Sequence, residues 1–329
     1  MSALAPVLQA FFTDRLLRER RASAQTVAAY RDAWRLLLRF AAKRVGKPPS
    51  DLDLDDLGVP LISAFLEHLE AERGNSVRTR NARLAAIHSM FRYAAAHHPE
   101  HAATIARVLA ILPKRFERAL VAFLTEAEVE ALLAAPDRSS WAGRRDHALV
   151  LLAVQTGLRI SELIGLRRSD VHLGTGAHVA CRGKGRKDRV TPLTVPTAKV
   201  LRAWLIEHHP GMTAPVFPTR TGTPLSRDAI EHRLAVHVAT AAAHCPTLAS
   251  KRVTAHVLRH TAAMRLLEAG VHPTVIALWL GHERVETTAI YLHAHLGIKE
   301  AALARARMPD EKPRRYRPPD ALLSFLQSL

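Results

Sequence analysis

Apolar side chains recur at helical spacing through the first 112 residues. After Ser23, the residues Val27, Tyr30, Trp34, Leu37 and Leu38 return near the helical period with Arg31, Arg35 and Arg39 on other faces. That pattern predicts an amphipathic helix of about five turns, capped by the serine hydroxyl. The turn-rich run GKPPSDLDLDDLGVP gives way to a second stretch around Ile62, Phe65, Leu66 and Leu69, which Gly74 and Asn75 close. Ser76 opens a third helix reaching about Ala96, with Leu84, Ile87, Phe91 and Ala94 turned inward. Arg78, Arg80 and Arg83 are left for solvent or phosphate, and a solvated basic face is the plainer reading of the three.

The regularity lapses past Pro113 in the basic stretch ILPKRFERALVAF. LTEAEVEALLAAP restarts it, with Thr125 as cap and Glu128 at the third helical position, a reciprocal capping pattern. Helices are then predicted at 126–134, at 142–156 ending on Gly157, from Ser161, around Arg227, and at 256–268, 272–280 and 284–296. Residues 178–180 and 189–193 flank the polar turn CRGKGRKD and read as a pair of strands. The chain therefore divides into a helical domain at 1–112, a basic linker at 113–119, a mixed domain at 120–308 and a tail at 309–329. The fold class is mainly α, with one small antiparallel sheet in the second domain.

Charge narrows the partner. Lys and Arg number 47 against 30 Asp and Glu, a formal charge of +17, on a chain that is 48% hydrophobic. A disordered basic tail would be poor in apolar residues, so the charge belongs to the surface of folded domains and points to a polyanion, nucleic acid before membrane. Cys181 and Cys245 form no disulfide framework and lack zinc-knuckle spacing. The opening MSALAPVLQAFFTDRLLRERR has no basic lead before its short apolar stretch, and no run of about 20 apolar residues follows. A cytoplasmic protein with no membrane partner is expected.

Four short motifs carry candidate chemistry. Arg182, Lys184, Arg186, Lys187 and Arg189 crowd one turn with only Asp188 against them. A glycine-flanked tip can lie along a phosphate backbone without a Cβ in the way, or be no more than a solvated turn. GKG lacks the length and the terminal Lys-Ser/Thr pair of a P-loop. TAHVLRH sets His256, Arg259 and His260 on one helical face, where imidazole and guanidinium approach one anion together. His256 and His260 also have the spacing of a zinc pair, but without an HExxH glutamate or a third ligand no metal is expected. In WLGHERVETTAIYLH, Gly281 ends a helix, His282 occupies the turn, and Tyr291 on the next helix serves either the core or the chemistry. QTGLRISEL places Arg159 at a helix junction with Glu162 a turn later to orient it, a pair that alone is more often structural.

Together, TGLRISEL at 156–163, GKGRKDRVTPL at 183–193, HVLRH at 256–260 and LGH with its tyrosine at 280–291 resemble the tyrosine recombinase, or phage-type integrase, family in order and separation. The leading helical domain resembles that family's core-binding, SAM-like domain. The resemblance implies a site-specific recombinase that cleaves and rejoins duplex DNA through a 3′-phosphotyrosyl intermediate. Carried over by motif, Arg159 and Arg259 are the catalytic arginines, Lys184 the hairpin lysine, His256 and His282 the two histidines, and Tyr291 the nucleophile. Glu162 matches the acidic support of Arg159, and His260 a structural position behind Arg259. Trp279 is bulkier than the residue usually found before LGH.

The same resemblance implies no cofactor. It implies a double-stranded DNA recombination site as partner, with two protomers on one site, four in synapsis, and accessory recombination proteins as further candidates. Arg78, Arg80 and Arg83, Lys114 and Arg115 of the linker, and Arg182, Arg186, Lys187 and Arg189 of the turn are the residues assigned to hold the duplex. Two other functions fit the fold: an inactive architectural or regulatory DNA-binding protein, and a relaxing enzyme of the type IB topoisomerase kind. After the proline-rich tether PDEKPRRYRPPD, the residues Leu322, Phe325, Leu326 and Leu329 form an apolar stripe at helical spacing. Nine residues make no stable lone helix, so this stripe is expected to dock, on a neighbouring protomer or on its own domain.

Overall fold

The computed structural model describes residues 4–116, 121–182, 188–208 and 211–281. Two compact units, Met1–Ala119 and Leu120–Leu329, each have a core of their own. Among the described residues, no helix is long and apolar enough to cross a membrane.

In the first unit the helices are α1 (Leu4–Ala10), α2 (Ala24–Val45), α3 (Val59–Ala71), α4 (Val77–His97) and α5 (Ala102–Leu109). Ser23 and Ser76 cap α2 and α4 as the sequence predicts, their hydroxyls accepting from the N–H of Thr26 and Thr79 at 3.2 and 3.3 Å. The predicted stripes close one core in which Trp34, Leu37, Ile62, Phe65, Leu66, Leu69, Leu84, Ile87, Phe91 and Ala94 are all buried. The turn-rich run joins it through Leu52, Leu54 and Leu57.

Sequence periodicity does not mark the first nineteen residues as an element, yet α1 continues into a wide-turn helix at Phe11–Glu19. Its buried residues, Leu4, Val7, Phe11 and Leu16, are spaced by three, four and then five positions. A helix that widens from i→i+4 to i→i+5 pairing keeps those residues on one face while hiding the ordinary period.

The second unit contains α6 (Glu126–Ala134), α7 (Trp141–Thr156), α8 (Ile160–Gly165), β1 (Val171–His172), β2 (His178–Arg182), β3 (Asp188–Pro192), α9 (Val195–His208), α10 (Arg227–Ala242), α11 (Ala255–Glu268) and α12 (Pro273–Leu280). The three strands form one antiparallel sheet in the order β1-β2-β3, with Val179 opposite Thr191 and Cys181 opposite Arg189. The capping box at Thr125 and Glu128 is present. Helix α9 is absent from the predicted elements. Pro196 reads as a break but is tolerated in a first turn, and Leu201, Trp204 and Leu205 behind it are buried at helical spacing. The predicted helix at 284–296 lies outside the described residues.

Helix α7 is buried nearly all round, through Ala148, Leu149, Val150, Leu152, Ala153 and Val154, as befits a helix at the centre of its unit. Its one buried carboxylate, Asp146, accepts from Arg145, from Arg233 at 2.6 Å and from His237 at 2.9 Å. Burial pushes the Asp146 pKa up, but hydrogen bonds from His237, Arg145 and Arg233 outweigh it and hold the group below its ordinary range.

Candidate active site

Two helix C-termini meet beside α11. Helix α7 ends on Gly157 (φ +64°) and α12 on Gly281 (φ +65°), both left-handed. At Gly157 glycine is required for space as well, because a Cβ there would lie 2.5 Å from Leu280 Cδ2. The last carbonyls of a helix have no acceptor role within it and carry the negative end of its dipole, so they attract cationic donors. Arg259 of α11, only 3% exposed, donates to the carbonyl oxygens of Gly157 and Leu280, each at 2.7 Å, and so ties the two ends together. Trp279 adds a third tie, its indole N–H reaching Thr156 O at 3.1 Å. The bulk that sets it apart from the family pattern thus has a partner.

Arg159 follows the Gly157 turn and caps α8. Its backbone N–H donates to Glu162 Oε2 at 2.7 Å, its Nη1 to Glu162 Oε1 at 2.9 Å, and its Nη2 to Gly281 O at 2.7 Å. The predicted support of Arg159 by Glu162 is therefore a direct contact. With its side chain 28% exposed, Arg159 keeps an accessible edge. Arg159 and Arg189 share the buried carboxylate of Glu162, while Arg159 and Arg259 hold the carbonyls at the two helix ends.

On α11, His256 is exposed and its ring stands edge-on to that of His260, with centroids 4.3 Å apart and planes at 67°. Burial first, then the neighbouring His256 and Arg259, push the His260 pKa down to about 4, so this ring is neutral at physiological pH. His256 is the solvent-facing member of the pair.

Several predicted contact residues turn out not to face outward. Arg189 is assigned to DNA in the sequence reading, yet its side chain is 10% exposed and donates to both oxygens of Glu162, at 2.9 and 2.8 Å. Strand alternation explains it: Arg189 and Thr191 share the inward face with their partners Cys181 and Val179, while Val190 points to solvent. Arg80 is likewise not available to phosphate. Its side chain is 8% exposed, with Nε 3.8 Å from Glu70 and Nη1 donating to Asn81 at 3.0 Å. Position 80 precedes Leu84, Ile87, Phe91 and Ala94 in steps of four and three, so it belongs to the buried stripe.

Arg83 is partly covered. Burial, then Arg73, lower its pKa, and its Nη1 has no acceptor among the described residues. Arg78 is exposed, 6.0 Å from the Phe116 ring centroid, and Arg115 is exposed as well. Lys114 is solvent-facing but tied to α3 by Glu70 at 2.7 Å. Lys184, Arg186, Lys187, His282, Tyr291, Leu322, Phe325, Leu326 and Leu329 lie outside the described residues, as does the side chain of Arg182. Helical periodicity did carry the signal for Arg80, and strand alternation that for Arg189; both were overridden by the basic runs around them.

Known proteins share this chain's sequence over its whole length. The model of the phage integrase family matches residues 122–296, and that of the phage integrase N-terminal SAM-like domain matches residues 10–98. The putative integrase/recombinase y4rC of Sinorhizobium fredii is 56% identical over 328 residues, which span 100% of this chain and 99% of that one. The tyrosine recombinase XerC of Pelobacter propionicus is 32% identical over 307 residues, 91% of this chain and 96% of that protein. Among solved structures, the Tn1549 transposon integrase in complex with transposon right end DNA shares the fold, with a TM-score of 0.67 at 18% identity over 92% of this chain and 99% of that one. The motifs, the arginine-bound turns between them and the full-length relatives agree: this chain belongs to the tyrosine recombinase, or phage integrase, family.

Proposed function

We propose that the protein is a site-specific DNA recombinase that breaks and rejoins duplex strands through a 3′-phosphotyrosyl intermediate. One observation carries this reading. Arg259 binds the last carbonyl of α12, Leu280 O, and Arg159, a hundred residues away in sequence, binds the next one, Gly281 O, directly before His282 in the chain. Two guanidinium groups suited to one phosphate are thereby held at a single turn, and His282 is the next residue in the sequence.

The chemistry follows from those groups. Attack of the Tyr291 oxygen on phosphorus concentrates negative charge on the nonbridging oxygens, and preset guanidinium and imidazole donors stabilise that state more than the ground state. Arg159, Arg259 and His282 do this work. A tyrosine hydroxyl has a pKa of about 10, and the exposed His256 imidazole accepts its proton beside the cationic field. The P–O5′ bond breaks as the new P–O bond to Tyr291 forms, and Lys184 gives the departing O5′ its proton. Because the phosphotyrosyl ester preserves the phosphodiester bond energy, rejoining runs the same steps in reverse without ATP. Loss of either arginine removes a principal donor and is expected to slow cleavage about a hundredfold, on the order of 3 kcal/mol.

A nicked duplex carrying the protein's site traps the covalent intermediate, because the short fragment released by cleavage diffuses away. On denaturing gels the wild type yields a protein–DNA adduct, and Tyr291→Phe binds the same duplex without one. An adduct persisting in the variant refutes the nucleophile assignment. Binding without trapping by the wild type leaves an architectural DNA-binding protein. Trapping together with relaxation of any supercoiled plasmid, and no exchange between paired sites, leaves a topoisomerase.

A further inference from the structure

Trp279, Leu280 and Gly281, consecutive at the end of α12, each grip a different part of the site. Gly281 O accepts from Arg159, Leu280 O accepts from Arg259, and the side chain of Trp279 donates its indole N–H to Thr156 O at 3.1 Å. Thr156 closes α7 and Gly157 caps it, so the carbonyls at that helix end are held by Trp279 on one side and by Arg259 on the other. These ties differ in kind. Arg159 and Arg259 are the cations assigned to the phosphate, so their guanidinium groups serve the turns and the substrate together. The indole is neutral, and its single N–H is committed to Thr156 O. Its half-buried rings pack against the buried cluster that contains Met264, Leu267, Ile276 and Leu280, and Leu280 closes on the Gly157 turn.

We propose that Trp279 is a positioning residue for strand cleavage, fixing the Gly281 turn against the end of α7 and so holding Arg159 and Arg259 at one spacing while they act on the phosphate. The inference rests on the reading of those two arginines given above. A guanidinium that turns a donor toward a phosphate oxygen loads the carbonyl bonds through which it also holds the turn. The indole bond takes no part in that exchange, so it keeps the two turns in place with or without DNA. Phenylalanine at 279 retains an apolar ring for the packing but has no donor for Thr156 O. The spacing of the turns is then left to the arginines, and a displacement of about 1 Å in a catalytic group costs about a hundredfold in rate.

The charge of the scissile phosphate separates this role from general structural support. In a methylphosphonate duplex one nonbridging oxygen is replaced by a methyl group, which makes the phosphorus centre neutral. Attack of Tyr291 still forms a P–O bond as P–O5′ breaks, with the same two proton transfers, but less negative charge gathers for guanidinium donors to hold. The experiment compares cleavage rates of wild type, Arg159→Ala and Trp279→Phe on nicked phosphate and methylphosphonate duplexes carrying the protein's site, at saturating DNA, with duplex affinity measured in parallel. Arg159→Ala is expected to be about a hundredfold slower than wild type on the phosphate and within about tenfold on the methylphosphonate. Trp279→Phe is expected to be about thirtyfold slower on the phosphate at unchanged affinity, and within about threefold of wild type on the methylphosphonate. A Trp279→Phe defect equally deep on both substrates, or none on the phosphate, overturns the role of Trp279 while leaving the arginine reading intact. If the Arg159→Ala defect is itself equally deep on both, the assignment of that arginine to the phosphate charge fails and this inference fails with it. The benzothiophene analogue of tryptophan at position 279, which keeps the fused rings and replaces the N–H with sulfur, carries the same comparison should Trp279→Phe lose duplex affinity.

Discussion

Gly157 offers a clean way to weigh the packing between the two helix ends. Replacing it with alanine places an L residue at φ +64°, which costs about 1–2 kcal/mol. The new Cβ would also stand 2.5 Å from Leu280 Cδ2 and 3.1 Å from Ala262 Cβ. Leu280 is wholly buried, so its side chain has to move within a filled core, a further cost of about 1–3 kcal/mol. Gly270 in the same unit is the matched control: its φ is +80° and a Cβ there meets nothing within 4 Å.

Gly157→Ala is therefore expected to lose about 2–5 kcal/mol and Gly270→Ala about 1–2, read as shifts of the urea midpoint at constant slope. Activity adds a second readout, since Gly157 O accepts from Arg259 at 2.7 Å and a displaced turn carries that arginine with it. Trapping on the nicked duplex should fall in Gly157→Ala and stay near wild type in Gly270→Ala, measured where both are folded. A Gly157→Ala loss no larger than that of Gly270→Ala would refute the close packing of Leu280 on the turn.

Two further outcomes are expected. His260 has a folded pKa pushed down to about 4, against about 6.5 in the unfolded chain, so unfolding takes up a proton between those values. Stability is full above pH of about 6.5 and falls as the pH drops toward about 4; His147, lowered by burial, acts with the same sign. Denaturation curves across that range should flatten in part for His260→Asn, and an unchanged slope would count against the burial of the neutral ring. In the first unit, Arg80→Ala should lose about 1–3 kcal/mol of stability, while Arg78→Ala stays within about 0.5 kcal/mol. If the exposed arginine holds a phosphate, Arg78→Ala also lowers the slope of log affinity against log salt by about 0.9. The opposite assignment of the two effects would show that the α4 stripe has been placed on the wrong face.

Most helices were legible in the sequence because their apolar residues repeat at the period of the structure they form. Ser23, Ser76 and the Thr125–Glu128 box mark their starts, and Gly157 and Gly281 mark two ends, since a cap is a local bond and a left-handed residue a local conformation. The N-terminal wide-turn helix was hidden for the complementary reason: Leu4, Val7, Phe11 and Leu16 follow no constant step. The four motifs likewise fixed the family, and with it the partnership of Arg159 and Glu162, which stand three residues apart.

What sequence spacing left open was the direction of each cation. A basic run such as the one from Arg182 to Arg189 reads as a single surface, but strand pairing sends alternate side chains to opposite faces, and only a buried carboxylate 27 positions away, Glu162, gives Arg189 a reason to turn inward. Arg80 is decided in the same way by Glu70 across a neighbouring helix. The bonds from Arg159 to Gly281 and from Arg259 to Gly157 span 122 and 102 positions. Local sequence determined which residues form each helix and carry each motif, because caps, periods and turns are short-range. Tertiary structure alone decided which charges meet, because burial makes an arginine seek any acceptor within reach in space, however distant along the chain.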